Sequence, residues 1–120
     1  MEVYLDDDTD EDRLILTTRR QGHRLLSPRS LGLRGRHDAI HLREAIFRRV
    51  PLLTRNQHDF RLLHELIVAS AGIHYGVLVV CRDNDPHRDL SPSDVGQALT
   101  RLEQTWPDLR NQFVILNQWK

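Results

Sequence analysis

Short apolar runs alternate along this chain with segments in which apolar residues recur at helical spacing. The runs predict strands, and the helical segments begin at Glu11, Asp38, Asp59 and Ser91. The predicted strands are Val3–Asp6, His23–Leu26, Val50–Thr54, Gly76–Cys81 and Phe113–Leu116. Strands that alternate with helices are typical of βαβ units, so the pattern predicts an α/β protein with a mainly parallel central sheet and helices on both faces.

Local signals set the expected helix limits. Gly22 stops the first helix after Gln21, and Asp38 and Asp59 are expected to cap the second and third helices. Ser91 and Pro92 open a last helix that runs to about Thr105. Its apolar positions suit either the core or a subunit interface, and they are Val95, Leu99 and Leu102.

Length and composition limit the class of protein. A chain of 120 residues without repeats or a linker is expected to form one domain, residues 1–120. The longest apolar stretch, Val77–Cys81, is far too short to span a membrane, and the acidic N-terminus is unlike a signal peptide. The single cysteine, Cys81, excludes an intramolecular disulfide. We therefore expect a soluble cytoplasmic protein with no membrane partner.

The formal net charge of zero conceals a strong asymmetry. Residues 1–12 hold seven acidic and no basic side chains, whereas residues 13–61 hold 12 arginines against three acidic residues. Arginine presents a planar fork that suits phosphate, so an arginine-rich segment beside a carboxylate cluster could hold a polyanion near a metal. The alternative is that these arginines lie on ordinary solvated faces, and composition does not separate the two interpretations.

The aspartates Asp6, Asp7 and Asp8 directly follow the first predicted strand. Carboxylates packed this closely raise one another's pKa unless a cation neutralises them, and Mg²⁺ and Mn²⁺ prefer oxygen ligands. A structural alternative is an acidic helix start, in which Asp8–Asp12 supplies caps and negative charge to the first turn.

Further polar positions are expected at the same sheet edge. If the first and third strands are adjacent, Asp6, Asn56 and Asp59 could share one cation, with Asp38 at the rim. A site of this kind suits phosphodiester hydrolysis, in which a metal activates water and offsets transition-state charge. Asp38 and Asp59 also suit plain helix caps, and Thr54 and Asn56 also suit an Asx-type turn.

Other common chemistries lack support in the chain. The histidines have no metal-ligand spacing, and the segment Gly32–Gly35 has too few glycines for a phosphate loop. Cys81 lies in an apolar strand that would raise its pKa, which disfavours a nucleophilic role.

Several short motifs, taken in order, resemble a known family. They are Tyr4-Leu5-Asp6-Asp7-Asp8, Gly22-His23-Arg24, Gly32-Leu33-Arg34-Gly35-Arg36-His37-Asp38, Leu52-Leu53-Thr54-Arg55-Asn56-Gln57-His58-Asp59-Phe60, Leu63-His64, Gly76-Val77-Leu78 and the closing Val114-Ile115-Leu116-Asn117-Gln118-Trp119. The combination is similar to small bacterial PIN-like proteins, which are often encoded as toxins of toxin–antitoxin pairs. The similarity covers essentially the whole chain.

This resemblance implies a three-layer PIN-like fold and a metal-dependent endoribonuclease that uses Mg²⁺ or Mn²⁺. Asp6 and Asp59 would be the principal metal ligands, with Asp7 or Asp8 assisting and Asn56 as a neutral ligand. Asp38 would orient the attacking water, so that the implied catalytic residues are Asp6, Asp38 and Asp59. The chain departs from the family at Asn56, where many relatives carry an acid, and a neutral amide should lower the affinity for the metal.

The implied partners follow from the same resemblance. The substrate would be RNA, and the arginines expected to contact its phosphates are those that flank the carboxylates, Arg34, Arg36 and Arg55. An antitoxin protein would be a further partner, and homodimers are common among similar proteins. The main rival is a PIN-like module that is weakened at Asn56 and acts by binding RNA or a protein. A phospho-receiver domain is disfavoured because the only lysine is Lys120.

Overall fold

The computed structural model describes residues 1–120 as a five-stranded sheet with four α-helices. The strands are β1 (Glu2–Leu5), β2 (Arg24–Leu26), β3 (Leu52–Thr54), β4 (Val77–Val79) and β5 (Phe113–Ile115). The helices are α1 (Asp12–Arg20), α2 (Asp38–Arg48), α3 (Gln57–Ala69) and α4 (Pro92–Thr105). Two short 3₁₀ turns, Asp7–Thr9 and Leu116–Trp119, follow β1 and β5.

The sheet is wholly parallel, with the strand order β2-β1-β3-β4-β5. In the register of β1 and β3, Tyr4 faces Leu52 and Leu5 faces Leu53. The predicted α/β class, the parallel sheet and the adjacency of the first and third strands are all confirmed. The chain runs from β1 outward to β2 and then returns to place β3 on the other side of β1.

Each face of the sheet has its own core. Val3, Leu5 and Leu53 point to the face covered by α1 and α4, and they pack with the helix residues Leu14 and Leu99. The opposite face is covered by α2 and α3, and its buried residues are Tyr4, Leu26, Leu42, Ala45, Val50, Leu52, Phe60, Val77 and Val79. Strands buried on both faces explain why the apolar runs are continuous rather than alternating.

The α4 positions whose role the sequence left open lie in the core. Val95 is 3 % exposed, and Leu99 and Leu102 are fully buried. Helix α3 is anchored far less firmly, because Phe60 is its only fully buried residue. Leu62 and Leu66 on the outer side of α3 are more than half exposed.

The structure corrects the expected helix caps. Helix α2 begins at Asp38, and its N-cap is His37, whose side chain makes no capping hydrogen bond. Helix α3 begins at Gln57, and its N-cap is Asn56, whose side chain accepts a hydrogen bond from the Asp59 backbone N–H. Asp38 and Asp59 therefore lie inside the first turns, where their negative charge favours the positive end of the helix dipole without a capping role.

The strands are shorter than the apolar runs that predicted them. Strand β3 begins at Leu52 because Pro51 has no N–H to donate, although the Pro51 carbonyl accepts the Tyr4 N–H at 2.8 Å. None of the helices combines the length and the apolar character that crossing a bilayer requires.

Candidate functional site

The strand order reverses between β1 and β3, because β2 lies on one side of β1 and β3 on the other. In open α/β sheets, a crevice forms at such a switch point beyond the carboxyl ends of the strands. The residues that follow β1 and β3 here are Asp6, Asp7 and Asp8 on one side and Arg55 and Asn56 on the other. The topology thus brings together the two polar segments that the sequence singled out.

Asp6 is buried at this edge, with 2 % of its surface exposed, and threonines hold its carboxylate. Its Oδ2 accepts the Thr54 hydroxyl at 2.6 Å, and its Oδ1 accepts both the backbone N–H and the hydroxyl of Thr9 at 3.1 and 2.8 Å. Burial raises the pKa of Asp6, while the hydrogen bonds from Thr54 and Thr9 oppose that rise. Asp6 is therefore a fixed carboxylate, tied across β1 and β3.

Asn56 links this anchor to the two helix-borne acids. Its backbone N–H donates to the Thr54 hydroxyl at 2.9 Å. Its side-chain Nδ2 donates to Asp59 Oδ2 at 2.8 Å and to Asp38 Oδ2 at 3.3 Å, while its Oδ1 accepts the Asp59 N–H. The amide oxygen thus serves as a helix cap, and the amide hydrogens bridge Asp38 and Asp59.

Asp7 belongs to a separate chain of hydrogen bonds. Its Oδ2 accepts the Gly35 N–H at 3.0 Å and lies 3.2 Å from Nε2 of the buried His41. The other ring nitrogen, Nδ1, lies 2.9 Å from the Tyr4 hydroxyl. Because a carboxylate only accepts, Nε2 carries the hydrogen donated to Asp7, and in the neutral ring the Tyr4 hydroxyl donates to Nδ1. Asp8 has an exposed side chain with no hydrogen-bond partner.

The acids influence one another across the edge. The pKa of Asp38 is raised by burial first, then by the charge of Asp59, with smaller contributions from Asp8 and Asp7. The charge of His41 acts in the opposite direction. Asp38 is therefore suited to accept a proton, since an acid with a raised pKa is a stronger base. The pKa of Asp6 is raised as well, but both of its carboxylate oxygens already accept hydrogen bonds from threonines.

The three predicted RNA-contacting arginines fall in two places. Arg34 and Arg36 are exposed on the loop before α2, on either side of Gly35, whose φ of +81° suits glycine and whose N–H binds Asp7. The side chain of Arg55 instead reaches toward Asp8 and Glu11. Its Nη1 donates to the Asp8 carbonyl at 2.6 Å and to Glu11 at 2.9 Å.

The side chains present fit a hard divalent cation in their chemistry. All the donors are oxygens. The pKa of Asp38 is raised by burial and then by repulsion from Asp59, and a cation would remove that repulsion. The geometry is not that of a preassembled centre, since the structure has no group of three or more His, Cys, Asp or Glu side chains placed to hold one metal ion. The predicted ligand Asn56 presents hydrogens rather than its oxygen to the two acids.

Sequence reasoning missed three residues that organise this edge, namely Thr9, His41 and Tyr4, and it considered Thr54 only for a turn with Asn56. A usable signal existed for His41, since it lies one helical turn after Asp38 on the same side of α2. Thr54 ends β3 opposite the end of β1, so it could have been paired with Asp6 once the two strands were placed together.

Neither Cys81 nor the pair of His64 and His74 hydrogen-bonds to the acids at this edge. Burial and the charge of Asp83 raise the pKa of Cys81, which agrees with an inert thiol. His64 and His74 form a pair under the other end of the sheet, with 2.7 Å between His64 Nδ1 and His74 Nε2.

Comparison of this chain with protein-family models, curated proteins and solved structures gave no match in any of the three.

Proposed function

We propose that this protein is a Mg²⁺- or Mn²⁺-dependent endoribonuclease of PIN-like type, acting as the toxin of a toxin–antitoxin pair. The observation that carries the proposal is that Asp6, Asp38 and Asp59 lie along one edge of the sheet at the topological switch point, where Thr54 and Asn56 link them by hydrogen bonds. Asp7 and Asp8 follow Asp6 at the same edge. The ordered sequence motifs support the same assignment, because they place these acids where the resembling family has its acidic residues.

The acids divide into two roles by their surroundings. Asp6, which Thr9 and Thr54 hold rigidly, and Asp59, on the first turn of α3, would hold the cation, with Asp7 and Asp8 adding negative charge. When bound, a divalent cation stabilises charge on the scissile phosphate and makes water a better nucleophile. Asp38, with its raised pKa, orients the attacking water and accepts its proton at Oδ1, the oxygen to which Asn56 does not donate.

RNA would approach across the loop before α2. The Asp7 carboxylate fixes that loop through Gly35, so Arg34 and Arg36 are held beside the acids. Removing one phosphate-binding arginine should weaken RNA binding and reduce the slope of affinity against salt by about one unit. Arg34→Ala and Arg36→Ala test this, with Arg20→Ala on α1 as the matched control. An unchanged salt slope in both test variants would remove the assignment.

The cleavage test uses purified protein on structured and single-stranded RNA, with Mn²⁺, with Mg²⁺ and with EDTA. We expect metal-dependent cleavage that falls at least about a hundredfold in Asp38→Asn and Asp59→Asn. Asp108→Asn is the control, because Asp108 is an exposed acid that pairs only with Arg110. Equal cleavage by all the variants, or cleavage that persists in EDTA, would refute the proposed site.

A second candidate function is a module that binds RNA or a protein partner without cutting. The specific observation in its favour is that the Asn56 amide occupies the space between Asp38 and Asp59 and donates to both. A neutral donor there relieves the repulsion that would otherwise draw in a cation. Absence of cleavage with either metal, together with retained RNA or partner binding, would favour this candidate.

A further inference from the structure

A second cavity opens at the same sheet edge, on the opposite face from the carboxylates. Its volume is about 160 Å³, and it is more enclosed than the larger surface cavities. The carboxyl-end residues Leu53 and Val80 form its floor, and the first turns of α1 and α4 form its sides. Three arginines, Arg13, Arg55 and Arg82, line it together with one acid, Glu11.

These arginines are poorly neutralised. Arg13 and Arg82 make no ion pair and no side-chain hydrogen bond in the structure. Arg55 pairs through Nη1 with Glu11, yet its Nε is buried and has no hydrogen-bond partner. The lining therefore carries an excess of two positive charges.

The backbone adds to the positive potential. Arg13 lies in the first turn of α1, while Pro92 and Val95 belong to the first turns of α4. The first-turn N–H groups of α1 receive no side-chain cap, whereas at α4 Pro92 has no N–H and the Asp94 and Val95 N–H groups donate to Ser91. Both helix N-termini present the positive end of the helix dipole. Two such ends beside three guanidinium groups strongly favour a small anion with several acceptor oxygens.

The size of the cavity restricts what can enter. A cavity of about 150 Å³ holds a molecule the size of benzene, so this one accepts a single phosphate group but not a nucleoside with its phosphate. A phosphate monoester carries nearly two negative charges at neutral pH, which matches the two excess positive charges. A phosphodiester inside a strand carries only one negative charge. The strand would also have to leave the pocket on both sides of that phosphate, so a terminal monoester fits the pocket better.

We propose that this cavity binds the terminal phosphate monoester of a nucleic-acid strand. Arg13 and Arg82 bind the phosphate oxygens, and the guanidinium of Arg55, which is held by Glu11 and the Asp8 carbonyl, adds positive charge at the wall. That the phosphate belongs to a nucleic-acid strand rests on the proposed function, whereas the binding itself requires neither the metal nor cleavage. If the nuclease proposal and the cavity proposal are both correct, the carboxylates on the other face act on a strand whose end is held at a fixed distance from them.

The test measures binding rather than cleavage. Fluorescence anisotropy in EDTA compares one RNA hexamer in three forms, with a 5′-phosphate, with a 3′-phosphate, or with hydroxyls at both ends. A DNA hexamer with a 5′-phosphate and inorganic phosphate as a competitor identify the source of the phosphate. We expect one phosphorylated end to bind at least about tenfold tighter than the hydroxyl form, as charge-assisted hydrogen bonds imply. Equal affinity for all forms would overturn the proposal.

Single substitutions of arginines test which side chains produce the preference for a phosphorylated end. Arg13→Gln and Arg82→Gln should each abolish the preference for the phosphorylated end, whereas Arg20→Gln, on the same helix as Arg13, should retain it. All three side chains are exposed and free of ion pairs, so the thermal midpoint should not change. A preference that survives both test variants would place the phosphate elsewhere and overturn the assignment.

The two proposals fail separately. Asp59→Asn should remove cleavage and leave the end preference intact, whereas Arg82→Gln should remove the end preference without removing the carboxylate chemistry. Loss of both properties in either variant alone, with the fold retained, would mean that the two sites are not distinct and would overturn the pocket.

Discussion

The buried pair of His64 and His74 should make the protein sensitive to mild acid. His74 is fully buried, and its Nδ1 accepts the Gly76 backbone N–H at 3.0 Å. Nδ1 therefore holds no hydrogen, and Nε2 carries the one donated to His64 Nδ1 at 2.7 Å. A further proton on His74 would face the Gly76 N–H, and a proton on His64 Nδ1 would face the hydrogen on His74. In either case two hydrogen-bond donors would point at each other.

The size of the loss of folding stability in acid follows from the pKa of His74. Burial, and then the neighbouring His64, lower the pKa of His74 from 6.5 to about 4. The unfolded chain binds this proton near pH 6.5 and the folded chain does not, so stability is full above pH 6.5 and falls as the pH drops toward 4. The complete loss is about 3 kcal/mol, of which about 2 kcal/mol is reached by pH 5. Burial also lowers the pKa of His64, and this adds in the same direction.

The assay is urea unfolding followed by circular dichroism between pH 7.5 and 5. Wild type is compared with His74→Asn, whose side-chain oxygen can replace Nδ1 as acceptor for the Gly76 N–H but does not titrate. The variant should be less stable at pH 7.5 and should show a much flatter dependence on pH. Asp6 and Asp38, whose raised pKa values favour the folded state at low pH, contribute equally to both proteins and cancel.

His87 provides the control, because it lies exposed in the loop after β4. His87→Asn should retain the wild-type slope of unfolding free energy against pH. If wild type and His74→Asn gave parallel curves, the buried pair would not be the source of the acid sensitivity, and the reasoning from its hydrogen bonds would be refuted.

Three further predictions concern the site and the fold. Asn56→Asp restores an acid between Asp38 and Asp59, so isothermal titration should find Mn²⁺ bound at least about tenfold tighter; unchanged affinity would count against a cation there. Thr54→Val removes the hydroxyl bound to Asp6 and to the Asn56 N–H, so chemical unfolding should show a loss of about 1–3 kcal/mol, and a loss below 0.5 kcal/mol would contradict the network. Ser91→Ala removes the side-chain oxygen of the α4 capping box and should cost about 1 kcal/mol, whereas Ser70→Ala, at the C-cap of α3, should cost much less.

The order of elements could be predicted because each strand here is a continuous apolar run. Strand Val77–Val79 is buried on both faces, so its residues are all apolar and do not alternate with polar ones as in a strand with one exposed face. The adjacency of β1 and β3 also followed from the preference of βαβ units for neighbouring strands. These two facts are enough to predict from the sequence that Asp6 lies near Asn56.

The caps could not be placed from the sequence, because a cap depends on one backbone angle. His37 and Asp38 differ by a single position, and the extended ψ of 155° at His37 decides which of them lies outside the helix. Asn and Asp have similar cap preferences, so the choice between Asn56 and Asp59 was equally open.

The arginine-lined cavity had no sequence signal at all. Arg13 and Arg82 are distant along the chain, and only the packing of α1 beside α4 on one face brings them to the same opening. The acidic cluster could be found because Asp6, Asp7 and Asp8 are adjacent, whereas the basic cavity is created by topology alone.

The weak anchoring of α3 has a consequence for the dynamics of the molecule. With Phe60 as its only fully buried residue, α3 should open locally at a lower free energy than the sheet, and its amide hydrogens should exchange earlier. Such an opening would carry Asp59 away from the edge while Asp6 remains with β1. A ligand that contacts both carboxylates would then tie α3 to the strands, and its binding would be reported by slowed amide exchange along α3.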